Sequence, residues 1–111
     1  MAEVYIIAKP DTAFILSETI KMLFDRESLC LSGIEAVYAE VCRSEPSVVI
    51  AQFTCVEPAE TFISRIRKLA PGAKLLIVSG LKRKHSGDAF LRIPFGPTDL
   101  VDALNPLLRD T

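Results

Sequence analysis

The sequence predicts an α/β domain built on a doubly wound parallel sheet. Three observations predict it. Short runs of β-branched and aliphatic residues show no polar alternation, which is the pattern of strands buried on both faces. Stretches of helical periodicity separate those runs, so strand and helix patterns alternate from end to end. The chain has 111 residues, half of them hydrophobic. That is the length of one domain, with enough apolar material for one core without metal or disulfide staples.

The strands are expected at Val4–Ala8, Val48–Ala51, Leu75–Val78 and Phe90–Ile93, with a shorter candidate at Ser28–Leu31. Pro10 and Asp11 open the first helix, Asp11 as its N-cap, and Leu16, Ile20, Leu23 and Phe24 form its apolar stripe. Ile34, Val37, Tyr38 and Val41 follow the i, i+3, i+4, i+7 spacing of a second helix. Ala59, Phe62, Ile63, Ile66 and Leu69 give a third, which Pro71-Gly72 ends. The last helix starts near Pro97 and carries Leu100, Leu104 and Leu108. Pro106 is expected to kink or end it, because proline removes a backbone donor from the helix interior. Right-handed crossovers then place helices on both faces of the sheet. Chemistry in such folds sits at the carboxyl ends of the strands. The residues there are Lys9 to Asp11, Gln52 to Glu57, Ser79-Gly80 and Ile93-Pro94.

Composition narrows the function classes. Lys plus Arg is 13 and Asp plus Glu is 14, a formal charge of -1. That balance gives no general affinity for nucleic acid or anionic membrane. The cysteines Cys30, Cys42 and Cys55 form no CxxC pair, and His85 is the single histidine. No metal site is expected, and the thiols are expected to be buried in a reducing cytoplasm. The N-terminus has no basic n-region, and the apolar runs are too short to span a membrane. The expectation is one soluble, cytoplasmic domain over residues 1–111. No GxGxxG or GxxxxGKS loop follows any strand, so no nucleotide or other cofactor is expected.

Four phrases in register resemble the receiver domain of bacterial two-component response regulators. They are Gly33-Ile34-Glu35-Ala36, Glu45 to Ala51, Arg65 to Leu69 with Leu75 to Ser79, and Phe90 to Pro97. The resemblance implies a flavodoxin-like, five-stranded sheet of order 2-1-3-4-5. It also implies a site where an aspartate ending the third strand takes a phosphoryl group and two acidic residues hold Mg²⁺. A Ser or Thr and a Lys ending the fourth and fifth strands then bind the phosphoryl oxygens.

This chain departs from that pattern. Gln52 stands at the nucleophile position, Lys9-Pro10 at the acidic pair and Ile93 at the lysine, while Ser79 and Pro94 keep the family's residues. A neutral amide cannot form an acyl phosphate, so the pocket of Lys9, Pro10, Asp11, Gln52, Ser79 and Ile93 is expected to be vestigial. Either it has drifted, or it is locked by the Lys9 ammonium bonding to Gln52 or Ser79. Ser79 and Phe90 match the family's Ser/Thr–aromatic switch pair, the alternative for Phe90 being plain core. Only 13 residues separate Ser79 from Ile93, so the fourth helix is expected to be shortened or missing. Lys82, Arg83, Lys84 and His85 are read as a partner surface or as a solvated loop.

The implied function is phosphorylation-independent signalling through protein contact, without enzymatic activity, the partner being a signalling protein or a second copy. Two rivals remain. One is the regulatory domain of a DNA-binding transcriptional regulator, with no nucleic-acid contact from this domain. The other is a binder of flavin or nucleotide at the strand-end crevice.

Overall fold

The computed structural model describes residues 4–80 and 87–108. The strands are β1 (Val4–Ile7), β2 (Ser28–Cys30), β3 (Val48–Gln52), β4 (Lys74–Ser79) and β5 (Ala89–Arg92). The helices are α1 (Pro10–Phe24), α2 (Ile34–Arg43), α3 (Val56–Leu69) and α4 (Pro97–Leu108). All strand pairs are parallel and the order is β2-β1-β3-β4-β5, the flavodoxin-like arrangement that the sequence predicts.

Two cores lie on the two faces of the sheet. Val4, Ile6, Val48, Ile50, Leu76 and Val78 point toward α1 and α4, where they meet Leu16, Ile20, Leu100 and Leu104. The alternate residues Tyr5, Val49, Ala51, Leu75 and Ile77 point the other way, onto Val37 and Val41 of α2 and Phe62, Ile63 and Ile66 of α3. This is why the strands read as continuous apolar runs: the period-2 alternation of side chains is present, but both destinations are dry. Phe62 lies within an aromatic group, with ring centroids 5.8 Å from Tyr38 and 5.3 Å from Phe53. Arg65 sits 4.8 Å above the Tyr38 ring. Burial raises the pKa of the Tyr38 phenol above its ordinary value, with Arg65 opposing and Glu35 reinforcing the shift.

Several local expectations are corrected. Asp11 is not the cap of α1. Lys9 holds that position and Pro10 takes the first helical turn, where its fixed φ fits and its missing N–H costs nothing. Asp11 lies in the first turn, exposed, where its charge suits the helix dipole. Leu23 and Leu69 face outward, at 55% and 37% exposure, and Ala13 replaces Leu23 in the stripe against the sheet. Helix α4 continues through Pro106 to Leu108, anchored by the buried Leu107 and Leu108. The cysteines are exposed, not buried. Cys30 ends the edge strand β2, Cys42 follows the inward Val41 on α2, and Cys55 caps α3.

The link between β4 and β5 is the nine residues 80–88, too few for a crossover helix of ordinary length. Across the two strands Ala89 pairs with Leu76 and Arg92 with Ser79. The described end of the link lies flat on the sheet. A Cβ at Gly87 would stand 3.0 Å from Ile77 Cγ1 and 3.3 Å from the Leu75 carbonyl oxygen. Asp88 then fastens the link to β4 twice. Its N–H donates to the Leu75 carbonyl at 2.9 Å, and its Oδ2 accepts from the Leu75 N–H at 2.8 Å. Arg67 of α3 lies 3.6 Å from the same carboxylate oxygen. Asp88→Ala leaves the Leu75 N–H without that acceptor and is expected to cost about 1–3 kcal/mol. Asp88→Asn, which keeps an oxygen, is expected to cost less. Urea unfolding of the two variants checks this ordering.

Candidate functional site

The strand ends converge as the topology requires. Strands β1 and β3 are neighbours in register Ile7 with Ala51, so the residues that follow, Lys9 and Gln52, meet at the carboxyl edge. The Lys9 N–H donates to Gln52 Oε1 at 2.9 Å. The Lys9 carbonyl accepts the Ala13 N–H at 2.8 Å, the first bond of α1. One residue therefore has its main chain held by β3 on one side and by its own helix on the other. The locked alternative set the Lys9 ammonium against Gln52 or Ser79; the bond to Gln52 comes from the Lys9 main chain, whose extended φ and ψ (-60° and 150°) aim its N–H at β3 while the residue stays exposed.

Ser79 ends β4 and is fully buried. Its carbonyl accepts the Ile93 N–H at 2.9 Å, which brings those two candidate residues together across β4 and β5. Pro94 follows through a cis peptide bond. Phe90 pairs in register with Ile77, two positions short of the strand end, and packs half-buried against the α2 and α3 core. Asp11 and Pro10 lie on the exposed start of α1. Lys82, Arg83, Lys84 and His85 lie outside the described residues.

Beside the Lys9–Gln52 link is an open crevice of about 390 Å³. Ile7, Ala8, Ile34, Phe53 and Pro58 line it with carbon, and Lys9, Gln52 and Thr54 supply the polar groups. No carboxylate lines it. Among the described residues, no group of three or more His, Cys, Asp or Glu side chains is arranged to hold a metal ion. No helix among them is long and apolar enough to cross a membrane. Phe53 and Thr54 fall in the strand-end stretch Gln52 to Glu57 singled out from sequence, whereas Ile34 read there as part of the apolar stripe of α2.

The Lys9–Gln52 bond has a measurable signature. Gln52→Ala is expected to destabilise the domain by about 0.5–1.5 kcal/mol and to speed hydrogen exchange at the Lys9 amide. Gln52→Glu keeps an acceptor oxygen and is expected to preserve protection. Site-resolved amide exchange by NMR distinguishes the two variants.

No protein-family model matches the chain, and no curated protein matches it. Solved structures do match. The chemotaxis response regulator CheY4 of Vibrio cholerae is similar with a TM-score of 0.80 at 17% identity, over 97% of this chain and 99% of that one. A protein described as pilus assembly-related, from Burkholderia pseudomallei, gives 0.79 at 16% identity, over 98% and 90%. The N-terminal domain of the nisin resistance regulator NsrR gives 0.76 at 18% identity, over 98% and 99%. Identities this low speak for the scaffold alone, and the scaffold of this chain is the flavodoxin-like receiver fold.

Proposed function

We propose that this chain is a pseudo-receiver, a receiver-fold domain that signals by protein–protein contact and carries out no phosphoryl transfer. The observation that carries this reading is the Gln52 amide, tied at 2.9 Å to the Lys9 N–H where the family resemblance expects a carboxylate nucleophile. A side chain used as a main-chain acceptor links β3 to α1 in the resting protein, and an amide has no free charge with which to attack phosphorus. Lys9-Pro10 in place of two acidic residues removes the metal ligands, and Ile93 removes the cation opposite them. Ser79 is fully buried at the end of β4.

The structures similar to this one are named for chemotaxis, pilus assembly and resistance regulation. With such varied names, the scaffold is what they have in common, and the reading rests on the strand ends. The basic segment 82–85 remains a candidate partner surface on sequence grounds alone.

Acetyl phosphate with Mg²⁺ provides the test. The intact mass is expected to stay unchanged, and the amide resonances of Lys9, Gln52 and Ser79 are expected to stay in place when beryllofluoride and Mg²⁺ are added. A stable gain of one phosphoryl group, or shifts centred on those residues, overturns the proposal.

A further inference from the structure

The crevice beside the Lys9–Gln52 link, about 390 Å³ in volume, has a one-sided polar lining. The bond from the Lys9 N–H, at 2.9 Å, fixes which way the Gln52 amide faces. A backbone N–H only donates, so the oxygen Oε1 meets it and the NH₂ end points away. The hydrogens of that NH₂ have no partner among the described residues. Nor does the ammonium of the exposed Lys9 have a carboxylate among them at ion-pair distance. The exposed Thr54 hydroxyl makes only a loose contact, 3.9 Å from Cys55 Sγ. Three donor groups thus border one opening, and Lys9 is the one charged residue that lines it. Asp11, Glu35 and Glu57 stand exposed in the first turns of α1, α2 and α3, and none of them lines the crevice.

We propose that this crevice binds a small organic monocarboxylate, its charged end at Lys9, Gln52 and Thr54 and its apolar body against Ile34, Phe53 and Pro58. The lining selects that class. Both oxygens of a carboxylate accept and neither donates, which matches a border rich in donors. One ammonium balances one negative charge, and hydrogen bonds to an ionised group are the strong ones. A phosphate group brings a second charge that no lining residue answers, and it gives the carbon-faced wall nothing to cover. A wholly apolar molecule would strip water from the donors without replacing it. The volume is at the lower end for small-molecule sites, with room for an acid of about ten to fifteen non-hydrogen atoms. Gln52 is already held in place, because its partner Lys9 is itself bonded to Ala13 at the start of α1. Less ordering is then left for the ligand to impose.

The proposal goes beyond the protein-contact reading and fails separately from it, since phosphoryl transfer is scored as covalent mass and this as reversible occupancy. Benzoate, indole-3-acetate and octanoate are the probes, each titrated at neutral pH into the full chain and followed by amide NMR. The uncharged amide of each acid and inorganic phosphate are titrated beside them. At least one acid is expected to give saturable shifts at Lys9, Ile34, Phe53 and the Gln52 side chain, with a Kd below about 1 mM. Its uncharged amide is expected to bind about tenfold more weakly, and phosphate more weakly than the acid. Lys9→Met is expected to weaken the acid by about tenfold while leaving the uncharged amide unchanged, and Lys9→Arg to retain most of the affinity. Residue 9 keeps its main-chain N–H in both variants, so protection of that amide from exchange reports an intact joint with Gln52. Three results overturn the proposal. They are no saturable shift with any of the three acids up to about 5 mM, an acid bound no better than its amide or phosphate, and an acid that Lys9→Met leaves equally bound.

Discussion

A parallel sheet must be covered on both faces, and every strand must be returned to its start by a crossover over one of them. The rest of this molecule follows from that constraint. Two helices on each side dispose of the inward and outward residues of the central strands, which is why Val48 to Ala51 and Leu75 to Val78 are fully buried. Strands β4 and β5 are joined by the nine residues 80–88, whose described end meets β4 by close backbone contact. Gly87 lies against Ile77 without room for a side chain, and the main chain and carboxylate of Asp88 close the Leu75 hydrogen bonds. A local shortage of residues is met by polar fastening at the strand's beginning, far from the strand ends where ligands of this fold class bind.

The strand ends show the complementary economy. They are joined without charge. Gln52 and the Lys9 main chain form one neutral hydrogen bond, Ser79 is enclosed, and Ile93 gives its N–H to the Ser79 carbonyl.

Much of the architecture was legible because its signals are local. Uninterrupted apolar runs located the strands to within a residue or two, and the stripes of α2 and α3 identified their buried faces. What failed did so for physical reasons. Leu23 fits the periodicity of α1 as well as Ala13 does, and only the position of the sheet decides which of them turns inward. Pro10 displaced Asp11 from the cap because a preset φ and an absent donor suit the first turn of a helix better than a carboxylate is needed before it. Cysteine burial was inferred from residue-type tendency, which carries no information about which face of α2 holds Cys42. The places of Lys9, Gln52 and Ile93 at the strand ends were readable by register, but the bond that joins the first two was not. It comes from a main-chain N–H, and every residue type except proline has one.

The neutrality of that bond carries a further consequence. It contains no titrating proton, no exchangeable ion and no unit charge for salt to screen. Its strength is therefore nearly independent of pH and salt, so the joint it makes between the end of β3 and the start of α1 holds alike in acid and in brine.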